Sequence, residues 1–140
     1  MREYVYVECE KFEGKTMRTG GSTDKSLKAI KHLPKVGKVR YVRGYVYQGR
    51  NGVKHVGVIV KGYWGRIRFG GFSWGYGGQG PRGLKELFQE LKIPLDPTTK
   101  ILGDWEPDQV GEKWRISFEN GEAVKLEIPG QDTLYKYPKI

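Results

Sequence analysis

The chain has 140 residues and a net charge of +9, with 13% aromatic residues and one cysteine. That length fits a single domain able to bury a core without staples, and one cysteine, Cys9, excludes a disulfide framework and a cysteine-built zinc site. No apolar run approaches the ~20 residues of a membrane-spanning helix, and the first residues lack the apolar segment of a signal peptide, so the expected location is cytoplasmic, with no membrane partner.

The charge is uneven. The first 70 residues carry 16 Lys or Arg and 5 Asp or Glu, and between Lys15 and Arg68 the sole acid is Asp24. A field of this kind attracts polyanions. Nucleic acid is one such partner and an acidic protein surface another. Abundant Lys, Arg, Glu and Tyr with little Cys or Asn also suit a heat-adapted host, that is, a thermophile.

In chain order, residues 3–9 alternate Tyr and Val as a strand does, with Val5, Val7 and Cys9 on one side. Cys9 therefore reads as a small core residue. Residues 11–21 read as a glycine-punctuated loop. Ser22 or Thr23 can cap a helix over 23–33 with Leu27, Ile30 and Leu33 as its buried stripe and Pro34 as its stop. Residues 38–48 predict a strand with Tyr41, Arg43, Tyr45 and Tyr47 on one side. Turn residues 49–52 return the chain into a more apolar strand, 53–61, and a tight connection at 62–64 leads to a third, 65–72, on which Arg66 and Arg68 share a side. The three form an antiparallel meander.

A helix over 81–92 is marked by Leu84, Leu87, Phe88 and Leu91 at i, i+3, i+4 and i+7, with Pro81 suited to its first position. Residues 93–112 read as loop, its second part acidic, with Trp105 as a core plug. Residues 113–128 read as a hairpin. A two-residue Asn-Gly loop sets Ile116 opposite Lys125. A three-residue loop, Glu119-Asn120-Gly121, instead pairs Ile116 with Val124 and Trp114 with Leu126 and keeps one side apolar, so it is the expected register. The tail, 129–140, is expected to be extended.

Six glycines fall between Gly70 and Gly80, interleaved with Phe72, Trp74 and Tyr76. Gly75 to Gly80 matches G-x-G-x-x-G, but a meander precedes it rather than a βαβ unit, Pro81 removes an amide, and no acid ends a second strand ~20 residues on. An anion held by the amides of Arg82 and Gly83 with the Arg82 side chain is the better chemical reading. Packing of Trp74 and Tyr76 under the helix is the plainer one.

Gly71, Phe72, Trp74, Gly75, Tyr76, Gly77, Gly78, Gly80, Pro81 and Leu84 resemble the G-F-x-W-G-Y-G-G-x-G-P-x-x-L signature of a family of short bacterial and phage proteins that carries no assigned activity. The resemblance covers about residues 65–91. It departs at Lys85 and Glu86, where the family has small residues. It implies a shared strand-turn-helix and a phage or mobile-element setting.

His32 and His55 have no metal-ligand spacing, and no nucleophile elbow, Walker loop or paired-carboxylate motif is present. No catalytic residue, metal or cofactor is expected. The fold expected is α+β: a twisted, mostly antiparallel sheet of five or six strands in one domain, with helix 81–92 on a face and helix 23–33 at an edge. The leading expectation is a non-enzymatic nucleic-acid-binding protein. Lys38, Arg40, Arg43, Arg50, Lys54, Arg66 and Arg68 would contact phosphates, and Tyr45 and Tyr47 would stack on bases. The alternatives are an interaction or inhibitor module for an acidic protein surface, and a nucleotide- or phosphate-binding domain or enzyme using the 75–82 turn.

Overall fold

Alternation along two long strands builds the middle of the molecule. The computed structural model describes residues 15–74, 78–93, 110–128 and 135–136. In β2 (Val39–Gln48), Val42, Gly44 and Val46 are buried, while Tyr41, Arg43, Tyr45 and Tyr47 take the other side. β3 (Lys54–Gly62) pairs antiparallel with it and sets Val60, Val58 and Val56 beside the first row. A row of branched apolar side chains on one face must be covered, and helices cover it.

The remaining elements in chain order are β1 (Lys15–Arg18), α1 (Thr23–Ala29), a 3-10 helix (Ile30–Val36), then, after β3, β4 (Gly65–Phe69), α2 (Gln79–Glu90), β5 (Gly111–Glu119), β6 (Glu122–Glu127) and β7 (Tyr135–Lys136). The sheet order is β1-β4-β3-β2-β5-β6-β7. Every neighbouring pair is antiparallel except β1 with β4. The fold is α+β. Among the described residues six strands have four residues or more, and β7 adds a two-residue strand.

α2 buries Leu84, Leu87 and Phe88 against the apolar sheet face, as its 3.6-residue period requires. Phe69 and Phe72 stack at 4.9 Å, and Trp114 of β5 meets Trp74 and Phe88 edge-on at 5.6 and 5.7 Å. Gly44 lies directly beneath Trp114. A Cβ there would overlap the indole, so glycine makes the room that this large ring fills.

Several expectations change in detail. Helix 23–33 divides into α1 and the 3-10 helix, and Pro34 lies within the latter instead of ending the former. Ser22 caps α1, its side chain accepting from Lys25 N–H at 3.3 Å. α2 begins at Gln79, so Pro81 takes the third helical position, where a missing N–H is equally harmless. The loop expected over 11–21 contains β1, whose Met17 enters the core between Thr16 and Arg18.

The hairpin of β5 and β6 uses the two-residue Asn120-Gly121 turn, with φ of 52° and 82°, and not the three-residue loop. The conflict at Ile116 is removed by a bulge. The register shifts between Ser117 and Phe118, so that Ile116 faces Leu126, Ser117 faces Lys125, and Val124 is the extra residue. β4 ends at Phe69, short of the expected residue 72, and the chain turns Phe72 and Trp74 into the core. The readings placed on residues 3–9, Cys9, Tyr76, Trp105 and most of the tail lie outside the described residues.

Candidate nucleic-acid interface

No helix lies on the second face of the sheet among the described residues. Register decides what it displays. β1 contributes Thr16 and Arg18, β4 Arg66 and Arg68, and β3 His55, Gly57, Ile59 and Lys61. β2 contributes Tyr41, Arg43, Tyr45 and Tyr47, and β5 Arg115 and Ser117.

The rings and guanidinium groups interlock across the strands. Gly57 is opposite Tyr45, and the missing Cβ lets the Tyr45 ring lie flat over β3 and reach β4. There Arg68 Nε donates to Tyr45 Oη at 3.0 Å, and its guanidinium sits 5.5 Å from the Tyr45 ring and 5.9 Å from the Tyr47 ring. Arg43 lies 5.7 Å over Tyr45, and Arg115 lies 4.5 Å over Tyr41. Contacts of this kind hold cations in place without neutralising them. Ile59, only 4% exposed, lies on the same face.

Among the described residues few ion pairs form on this face. Glu112 accepts from Arg115 Nη2 at 2.9 Å and lies 3.6 Å from Arg43 Nη1. Arg43 Nε is buried with no hydrogen-bond partner. Further out, Lys125 pairs with Glu127 at 3.4 Å. Arg66 Nε donates to the neutral Thr16 Oγ1 at 2.8 Å. Lys61 has its pKa lowered, by burial first and then by Arg66 and Arg40, the signature of a cation held among cations.

The sequence-predicted residues divide into groups. Arg43, Tyr45, Tyr47, Arg66 and Arg68 meet on this face. Lys38 and Arg40 lie at the sheet end where β3 turns into β4. There Arg40, displaced by a bulge, sits 5.5 Å over Tyr63. Arg50 and Lys54 belong to the opposite end, at the β2–β3 turn, and Lys54 takes the helix side of the sheet. Arg82 and Gly83 do not form the expected anion site. Arg82 N–H donates to Gly78 O at 3.2 Å, and Gly83 is buried against Phe72, so neither offers an open amide. They lie in α2, on the other side of the sheet. The lysines of α1 and the 3-10 helix are likewise on the helix side, so the positive charge of the first half is not all on one surface.

Sequence reasoning missed Arg18, Lys61, Arg115, His55 and Tyr63. His55 and Lys61 were legible from the alternation with Val56, Val58 and Val60. Arg115 was legible only locally, between Trp114 and Ile116, because the β2–β5 pairing joins distant segments. Tyr63, 65% exposed, stands at the turn between β3 and β4. Tyr47, 36% exposed, stacks on His55 at 5.4 Å at the far end of β3. Comparison of the chain with protein-family models, curated proteins and solved structures finds no match.

Proposed function

We propose that this chain binds single-stranded nucleic acid across the open face of its sheet, without catalysing a reaction. The observation that carries the reading is the interlocked layer of Arg43, Arg68 and Arg115 with Tyr41, Tyr45 and Tyr47, flanked by Lys61 and Arg66 and touched by one carboxylate, Glu112, among the described residues. A positively charged surface that tracks the backbone, with aromatic rings beside it for bases, is the physical requirement for binding single strands. Sheets that present rings in this way read unpaired bases. Duplex recognition instead asks for an element that enters a groove.

Exposed rings stand at both ends of β3, Tyr47 stacked on His55 at one and Tyr63, in the turn that follows, at the other. His55 and Tyr63 are eight residue steps apart along β3 and its turn, about 26 Å at ~3.3 Å per residue, which leaves room for several nucleotides between the platforms.

The test is fluorescence anisotropy of labelled random oligonucleotides, single- and double-stranded, over a series of salt concentrations. Micromolar affinity for single strands is expected, weaker for duplex, with log K falling against log salt by about 0.7 per phosphate contacted. Absence of binding to either form at low salt ends the proposal. Retention of an acidic protein in its place would favour the interaction-module alternative.

A further inference from the structure

At the Tyr47 end of the sheet lies a cleft of about 860 Å³ that takes Arg18, Tyr47 and His55 from the open face and Lys54 and Val56 from the helix side, within the range of small-molecule sites. Its floor is backbone. The segment after β1 and the segment after β4 are laced together: Gly70 N–H donates to Thr19 Oγ1 and Gly71 N–H to Ser26 Oγ, both at 2.9 Å. Thr19 Oγ1 and Ser26 Oγ lie 2.7 Å apart, and Thr23 Oγ1 donates to Gly71 O at 2.9 Å. A Cβ on Gly71 would collide with the Ser22 carbonyl, so the two segments can approach this closely only with glycine there. At Gly20 and Gly21, by contrast, a Cβ would meet nothing within 4 Å. The floor is fixed and the space above it is open.

The walls define the occupant. Arg18 and Lys54 bring positive charge from two different strands, and the stacked pair of Tyr47 and His55 brings a flat aromatic surface. The lining is mixed, with Val56 and Phe72 set among polar groups and glycines, so a hydrocarbon would leave the polar part unmatched. A bare anion would use the cations but leave the ring pair and most of the volume to water. A ligand that joins a phosphate to a planar ring meets all three. Tyr47 belongs both to the cleft and, through Arg68, to the layer on the open face. A strand lying along that face is thereby delivered to a recess at the sheet end. An internal nucleotide would have to enter and leave the recess by the same opening, whereas a terminal one need only enter.

We infer that this cleft binds a nucleoside phosphomonoester, delivered as the phosphorylated terminus of a strand held on the open face. The strand-end source rests on the reading given under Proposed function; the cleft itself does not.

The experiment compares oligothymidylates of about eight nucleotides carrying a phosphate at neither end, at the 5′ end or at the 3′ end, against wild type and Lys54→Glu. A parallel arm follows the backbone amides of Gly20, Gly21, Gly70 and Gly71 by NMR during titration with AMP. Because a strand lies on the face in one polarity, a phosphate at one end alone is expected to tighten binding about fivefold. In Lys54→Glu the ratio of phosphorylated to unphosphorylated affinity is expected to fall to about one. An equal gain from either end, or a gain that survives Lys54→Glu, overturns strand-end capture. Should no strand bind at all, AMP decides alone. Shifts at the four glycines keep the cleft as a site for free nucleotide while the open-face reading fails; unmoved glycines overturn the cleft. If strands bind without end preference and AMP shifts the glycines, the source is free nucleotide; if neither occurs, the inference is wrong.

Discussion

Glycine at positions 44 and 57 does opposite jobs on the two faces of one sheet. Under Trp114, Gly44 admits an indole that is 1% exposed and enclosed by Trp74 and Phe88. Gly44→Ala has nowhere to displace that ring, and a loss of about 2–3 kcal/mol in urea unfolding is expected, the cost of overpacking a core. Under Tyr45, Gly57 admits the end of a side chain that can swing outward. Gly57→Ala is expected to cost only about 1 kcal/mol, the worth of the Arg68–Tyr45 hydrogen bond, yet to weaken oligonucleotide binding by disordering the layer. The two variants together separate stability from binding.

His32 supplies a second prediction at this scale. It is buried, and burial first, then Lys35 and Lys31, lowers its pKa. The native state therefore binds fewer protons than the unfolded chain once pH falls below histidine's ordinary value of about 6.5. Stability is expected to decline as pH drops through that value and to level off below the lowered native pKa. His32→Gln should show less of this decline in urea unfolding compared at about pH 7.5 and about pH 5.5. An equal decline in both proteins would assign it to other groups.

Among the elements, β2 and α2 were plain in the sequence and β1 was not. β2 alternates over ten residues and the α2 segment repeats its apolar positions over two turns, so each pattern outlasts local noise. β1 has four residues and one buried apolar side chain, and its partner is a parallel strand about 50 positions away. No local signal can announce such a pairing. The β5–β6 hairpin shows a different limit. Its Asn-Gly turn is visible in the sequence, but unbroken alternation from that turn opposes Ile116 to Lys125; a bulge, which no pattern of alternation encodes, reconciles turn and core. The same logic explains the candidate site. The residues of the 38–48 and 65–72 strands were identified by alternation within a strand, while Arg115 joins them only through the β2–β5 ladder. The amides of Arg82 and Gly83 failed as a site because the helix starts earlier than Pro81 suggested.

The binding reading is testable element by element. Tyr47→Ala and Tyr63→Ala are expected to cost ~1–3 kcal/mol each if each ring stacks on a base, measured by anisotropy with single strands. Lys61→Gln or Arg66→Gln should weaken binding to all sequences alike and shorten the salt slope by about one contact's worth. A change confined to one sequence would mean these groups read bases and not phosphates.

For the molecule as a whole, sheet order sets the route by which the chain assembles. β2 has two long partners. β3 follows after a five-residue turn and completes a local meander with β4, whereas β5 returns from more than 60 residues away. Loop-closure entropy favours the near partner first. The hairpin β5–β6 should therefore dock after the rate-limiting barrier. Ile116→Val and Leu126→Ala are expected to accelerate unfolding while scarcely slowing refolding, and Val58→Ala to slow refolding, in stopped-flow chevrons. Until that late docking, one long side of β2 and the surface destined to meet Trp114 stand uncovered. The growing chain is thus most vulnerable to self-association in the interval between completing its first half and receiving its last hairpin.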